Sequence, residues 1–291
     1  MNILISVNSE YLEKAETMLF SLALHTKEEN DIYLINNELS DEQVKKLEHF
    51  LSKRCNSRLI AIKPDKSFFE EMPLTEWFSV EMYNRILAQS LLPSELDRVL
   101  WLDADIIIMD DITDFYYQDF NDKCIVATPD IKYDGKLCRG ICASLGLEAS
   151  HKYFNSGVLL FNLNKIRSTV TEQQILSVCM KLKDKLKYPD QDILNYLYQD
   201  KVKYCESFNY NYQLTDISSI KKADEKSIKI LHYSGEIKPW KFRCINKASK
   251  YYWRVQIRKG NLLDCICVYS KFFLRKVYKK IKQRWAKKEL Q

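Results

Sequence analysis

At 291 residues, 46% hydrophobic and 29% charged, the chain is long enough for one large domain with a proper core, or a domain with an appendage. Six Gly and six Pro exclude collagen-like, linker-rich or disordered architectures, and no stretch approaches the roughly 18 apolar residues of a membrane-spanning helix. The formal charge of +6 is unevenly spread: residues 268–291 hold nine Lys or Arg against the single acid Glu289, and the rest of the chain is slightly negative, which excludes a generally basic nucleic-acid-binding surface.

In chain order, residues 3–7 read as a first strand, not as a secretory signal, because no basic region or cleavage site accompanies the apolar run. Residues 11–25 form a helical pattern with Ala15, Met18, Leu19 and Leu22 on one face. A second strand is expected at 32–35. A helix over 41–53 opens on the capping box Ser40-Asp-Glu-Gln43. A third strand at 59–62, a helix over 79–91 and a strand at 99–102 follow. This alternation predicts an α/β fold with a mostly parallel sheet and ligand binding at the carboxyl ends of its strands.

The last of these strands runs straight into Asp103-Ala104-Asp105. Alternate side chains of an extended chain point the same way, so both carboxylates can meet one hard cation that also bridges phosphate oxygens. The plainer reading is a pair of solvated aspartates at a strand end. The apolar Val-Leu-Trp-Leu before them favours the first, because it delivers the carboxylates to the edge of a core. There is no glycine-rich phosphate loop, so if a nucleotide binds here, a metal on this pair would have to hold its phosphates.

Beyond residue 112 the pattern is less regular, and loops are expected over 113–150. An apolar strand starts at Phe154-Asn155-Ser156-Gly157, a helix is expected over about 170–186, and Pro189-Asp190-Gln191-Asp192 opens another. Residues 230–240, Ile-Leu-His232-Tyr-Ser-Gly235-Glu-Ile-Lys238-Pro-Trp240, read as a strand entering a loop. The nine cysteines are odd in number and lack two metal-spaced pairs, so reduced thiols are expected rather than a zinc site.

Taken in order, Asp103-Ala-Asp105, Phe154-Asn155-Ser156-Gly157-Val158-Leu-Leu-Phe-Asn162-Leu, Pro189-Asp190-Gln191-Asp192 and His232-Tyr-Ser-Gly235-x-x-Lys238-Pro239-Trp240 resemble glycosyltransferase family 8, in particular the bacterial lipopolysaccharide galactosyl- and glucosyltransferases. The resemblance spans residues 1 to about 245. It implies a GT-A fold, a Rossmann-like mixed sheet flanked by helices, that transfers galactose or glucose from a UDP-hexose with retention of configuration. It also implies a divalent ion, manganese with magnesium as the alternative, held by Asp103, Asp105 and His232. Val7, Asn8 and Tyr11 correspond to a uracil-binding stretch, although the family pattern has an acid where Asn8 stands and an amide where Glu10 stands. Arg85, Ala104, Asn155, Ser156, Asp190 and Gln191 correspond to donor-binding positions, Gly235 and Lys238 to positions near the diphosphate. Gln191, Asp190 and Asp130 are the candidates for the chemistry itself. Gln is a poor nucleophile, which favours front-face transfer over a covalent intermediate.

The chain is therefore expected to comprise a transferase domain over 1–245 and a basic, aromatic segment over 246–291. Leu274, Tyr278, Ile281 and Trp285 recur at helical spacing among the cations, the pattern of a helix lying on an anionic membrane surface. The expected partners are a UDP-sugar, a saccharide or lipid-linked saccharide acceptor and the membrane, with no nucleic acid. The expected location is the cytoplasmic face of the cell membrane. Two alternatives stand beside this reading: a phosphohydrolase of the haloacid dehalogenase type, and a non-catalytic membrane-surface protein that keeps the fold.

Overall fold

The computed structural model describes residues 1–64, 80–131, 133–205, 207–214, 220, 225–236, 238–241, 244 and 247–261. The chain forms two units, one of Met1–Gln213 with Ala223–His232 and one of Leu214–Lys222 with Tyr233–Gln291. The basic segment over 268–291 lies outside the described residues.

The first unit begins with β1 (Asn2–Ser6), α1 (Leu12–Ala23), β2 (Asn30–Ile35), α2 (Asp41–Arg54) and β3 (Ser57–Ile62), all close to where the sequence places them. The capping box of α2 forms: Gln43 N–H donates to Ser40 Oγ at 3.3 Å and Ser40 N–H donates to Gln43 Oε1 at 2.9 Å. The helix predicted over 79–91 is two pieces, α3 (Val80–Ile86) and α4 (Ala88–Leu91), with Leu87 off helical geometry between them. Tyr83, Ile86, Leu87 and Ala88 all bury in the core around this bend.

Next come β4 (Arg98–Leu102), β5 (Ile106–Ile108), α5 (Thr113–Tyr117), β6 (Ile125–Pro129), α6 (Lys136–Leu145) and β7 (Phe154–Asn162). The expectation of loops over 113–150 is thus corrected. β6 is buried at every position, so it shows no alternation to read. The buried face of α6 is built from Cys138, Ile141, Cys142 and Leu145, where cysteines stand in for larger hydrophobes. The helix expected over about 170–186 is α8 (Glu172–Leu182), which Thr171 and Gln174 open with a second capping box, and a short helix not expected from the sequence, α7 (Leu163–Thr169), precedes it. α9 (Pro189–Leu197), β8 (Val202–Tyr204), a 3-10 turn at Phe208–Asn211, β9 (Tyr212–Gln213) and β10 (Ile230–His232) complete the unit.

Seven strands form one sheet in the order β3-β2-β1-β4-β7-β6-β8. The β3-β2-β1-β4 half is parallel, as the alternating pattern predicts, whereas β7 runs antiparallel to both β4 and β6. The sheet is therefore mixed. Its centre is dry: Ile3, Val99, Leu100, Phe154 and Val158 through Leu160 are fully buried. A second, three-stranded sheet in the order β5-β10-β9 sets His232 opposite Ile106, the residue after Asp105.

In the second unit, α10 (Ser249–Lys259) ends at Gly260, whose φ of +108° suits glycine. Tyr251, Tyr252 and Trp253 bury there, and Tyr233 Oη donates to the Ala248 carbonyl at 2.8 Å.

Candidate functional site

The Asp103-Ala104-Asp105 turn joins β4 of the large sheet to β5 of the small one. Asp103 N–H donates to the Gly157 carbonyl at 2.9 Å, which extends the β4–β7 ladder to the turn. Because β10 pairs with β5, His232 reaches the same point from a distant part of the chain. Among the described residues, ligand atoms of Asp103, Asp105 and His232 all lie within 4.8 Å of one another. His232 Nε2 is 3.3 Å from Asp105 Oδ1 and 4.0 Å from Asp103 Oδ2, and the imidazole is 4% exposed. Two carboxylates and an imidazole with convergent atoms fit a divalent ion. Gly157 makes that convergence feasible: a Cβ there would stand 2.8 Å from Asp103 Oδ2 and closer still to His232 Cε1.

Arg85, which could as well have been a surface side chain, is held inside. Its guanidinium pairs with both Asp103 and Asp190, donates to Ser156 Oγ at 2.7 Å and lies 4.6 Å over the Trp101 ring. Trp101 Nε1 donates to Asp103 Oδ1 at 2.8 Å. Burial pushes the Asp103 carboxyl above its ordinary value and the neighbouring Asp105 charge adds to the rise, while Arg85 and His232 pull the other way. Arg85 thus links the metal-type carboxylates to the opening of α9.

Pro189 at the first position of α9 places Asp190 and Asp192 in the first turn. Asn195, one turn on, clamps that helix to β7. Its Oδ1 accepts from Phe154 N–H at 2.8 Å, and its Nδ2 donates to the carbonyls of Phe154 and Gln191 at 2.9 and 2.8 Å. Gln191 is then buried against Asn155 and Ser156. Its Oε1 accepts from Ser156 N–H at 2.9 Å and Asn155 Nδ2 at 3.0 Å, and its amide meets the Tyr153 hydroxyl. Asp192 turns away from this group: it accepts from Tyr153 Oη and from Lys187 N–H and Tyr188 N–H at 2.6 and 2.9 Å.

A cleft of about 200 Å³ is lined by Ser6, Val7, Asn8, Tyr11, Asp103, Ala104 and Asp105. The residues matched to uracil binding therefore adjoin the Asp-x-Asp turn. Asn8 Oδ1 accepts from Tyr11 N–H at 3.1 Å, shaping the turn into α1. Asp130 sits at the end of β6, its backbone N–H donating to the Tyr153 carbonyl at 2.8 Å and Cys138 Sγ 3.9 Å from its Oδ1. Gly235 and Lys238 belong to the second unit, where Gly235 N–H donates to the Leu214 carbonyl at 3.0 Å and Lys238 Nζ to the Tyr233 carbonyl at 2.9 Å.

Sequence reasoning missed three contributors. Gly157 had a usable signal, a glycine inside an otherwise apolar strand. Trp101 and Asn211 had none. Asn211, fully buried, meets His232 Nδ1 at 2.9 Å through its Oδ1.

The family description "Glycosyl transferase family 8" matches residues 2–244. The lipopolysaccharide 1,2-glucosyltransferase of Escherichia coli K12 is 27% identical over 260 residues, covering 87% of this chain and 76% of that one. The lipopolysaccharide 1,3-galactosyltransferase of Salmonella typhimurium is 23% identical over 264 residues, covering 86% and 76%. The galactosyltransferase LgtC, solved with donor and acceptor sugar analogs, superposes with a TM-score of 0.74 at 22% identity, over 88% of this chain and 95% of that one. The likeness to LgtC is one of fold, and it makes this mixed sheet with its flanking helices a GT-A fold. The haloacid dehalogenase alternative fails on the same grounds, and because the acidic pair follows β4 rather than the first strand. With the family description matched across five-sixths of its length, this chain belongs to glycosyl transferase family 8.

Proposed function

We propose that this chain is a metal-dependent, retaining hexosyltransferase that moves galactose or glucose from a UDP-sugar to a lipopolysaccharide, capsule or other surface-glycan acceptor. The observation that carries the reading is the meeting of Asp103, Asp105 and His232 beside the Arg85–Asp190 pair. Asp103, Asp105 and His232 would hold the ion, and two oxygen donors with one imidazole suit manganese better than magnesium. When bound, such an ion neutralises diphosphate charge and so helps UDP to leave.

The remaining roles belong to the protein. Val7, Asn8 and Tyr11 border the cleft beside the acidic turn and receive the uracil end of the donor. Arg85 pairs with Asp190 and aims it, so that its carboxylate reads donor hydroxyls; a site built to bond a hydroxyl discriminates strongly against its absence. Gln191 faces the anomeric carbon without attacking it. A carbonyl oxygen has two lone pairs, and those of Gln191 Oε1 already accept from Ser156 N–H and Asn155 Nδ2. That supports front-face transfer, with the leaving phosphate taking the acceptor proton. Lys238 adds positive charge for the departing diphosphate, and Asp130 contacts the acceptor or the sugar.

UDP release from a panel of UDP-sugars, with and without Mn2+ and with water as acceptor, tests the reading. Slow, Mn2+-dependent hydrolysis of one UDP-hexose is expected, and it names the donor. Asp103→Ala is expected to lower that rate by more than about 100-fold while the protein stays folded. Neither release nor Mn2+-dependent UDP binding would instead leave a non-catalytic protein with this fold.

A further inference from the structure

A continuous row of side-chain amides runs beneath the site, from Gln191 through Asn155 and Asn211 to His232. All four residues are at most 8% exposed. Asn211 closes the 3-10 turn immediately before β9, and β9 lies beside β10 with Gln213 opposite His232. That register brings the Asn211 side chain to the imidazole.

The direction of every hydrogen bond in the row is set by two backbone donors. Amide side chains can be turned end for end, but backbone N–H groups only donate. Ser156 N–H points at Gln191 at 2.9 Å, so that end of Gln191 is its oxygen. Gly157 N–H points at Asn155 at 3.0 Å, so that end of Asn155 is its oxygen, and its nitrogen faces Gln191 Oε1. The Asn155 oxygen also faces Asn211 at 2.9 Å, so Asn211 presents its nitrogen there. Turning any one amide would set two acceptors or two donors against each other in a buried space, which costs about 1–3 kcal/mol per unsatisfied group. What remains for His232 Nδ1, at 2.9 Å, is the Asn211 oxygen, which can only accept.

We propose that Asn211 is a positioning residue: the amide row holds a proton on His232 Nδ1, so that Nε2 is the nitrogen left to give its lone pair to a cation between Asp103 and Asp105. The inference rests on the metal reading of this trio for its purpose. Its content, however, is the proton on Nδ1 and the ring orientation it fixes, which the amide row sets with or without an ion. An imidazole binds a metal through an unprotonated nitrogen, and the partner of its other nitrogen decides which one that is. The row also ties this choice to Gln191, so the donor-facing side of the site and the metal side are ordered by one network anchored on the backbone of β7.

The test uses the full chain labelled with 15N-histidine, free of metal, in long-range 1H–15N correlation spectra. The chain has four histidines, and His232→Gln identifies the signal of interest. The wild type is expected to show Nδ1 protonated. Asn211→Leu removes the acceptor and is expected to populate the Nε2–H form and to weaken binding of Mn2+ alone, followed by electron paramagnetic resonance, by about 10- to 100-fold. Asn211→Asp keeps an acceptor for the Nδ1 proton and is expected to keep the wild-type tautomer. A wild type whose Nδ1 carries no proton overturns the proposal, and so does a Leu variant that keeps both the Nδ1 proton and the Mn2+ affinity. If Asn211→Leu does not fold, the wild-type and Asn211→Asp spectra still decide the assignment. A wild type that binds no Mn2+ removes the metal reading instead, and the tautomer is judged on its spectrum.

Discussion

Asp103 is the residue on which the site's opposing forces meet. It has Arg85 on one oxygen, His232 4.0 Å from the other, and Asp105 beside it. Burial raises its carboxyl above the ordinary value near 3.8. An ion binds only the ionised form, so on acidification Mn2+ affinity is expected to start falling at a pH above the ordinary Asp range. Titrations at stepped pH check this, and an affinity that stays flat down to about pH 4 contradicts it. For the ion-free protein the folded state holds the extra proton between the unfolded and the raised folded value, so Asp103 makes stability fall as pH rises through that window. Mn2+ is expected to restore the lost stability, because a ligand of the folded state alone stabilises that state. Gly157 gives a sharper test at the same scale. Gly157→Ala puts a methyl against Asp103 Oδ2 and the His232 ring, so a folded protein with Mn2+ affinity reduced at least tenfold is expected. Unchanged affinity would show that the trio does not act together.

At the scale of elements, the site depends on α9 being fixed to β7 and on β10 being fixed to β5. The first junction rests on Asn195, which satisfies both polar groups of Phe154 and the Gln191 carbonyl from a fully buried position. Asn195→Ala leaves buried backbone groups unpaired and is expected to cost about 2–4 kcal/mol, measured by denaturant unfolding. Because Gln191 and Asp190 sit on the loosened turn, turnover should fall further than the loss of folded protein explains. The acidic turn was legible in the sequence because an apolar strand ended in alternating carboxylates. The α9 start was legible because Pro189 and two acids mark a helix N-terminus. β6 and α6, both within 113–150, were not, because β6 is buried at every position and α6 buries cysteines.

For the whole molecule, the large unit carries Asp103, Asp105 and His232, while residues 268–291 hold nine cations against one acid. Among the described residues no helix is long and apolar enough to cross a membrane. We propose surface attachment through that basic segment, which would hold the enzyme near a lipid-linked acceptor at the cytoplasmic face. Co-sedimentation with vesicles containing anionic lipid is expected, and each Lys→Glu replacement among Lys276, Lys279, Lys280 and Lys282 should weaken it by at least about 1 kcal/mol. Binding that ignores both lipid charge and these replacements contradicts the proposal. UDP release with water as acceptor should be unaffected by them.

The sequence by itself determined the alternation of strands and helices, the acidic turn, the helix start at Pro189 and the family. All of these are written in local pattern, in periodicity, caps and motifs a few residues long. Only the tertiary structure decided that β7 runs against its neighbours and that Arg85 joins Asp103 to Asp190. It alone brought Asn211, Gly157 and His232 to one place. Those facts depend on pairings between residues 18 to more than 100 positions apart, and a pairing at that distance leaves no periodicity in the chain, because it is the burial of both partners in one core that selects it.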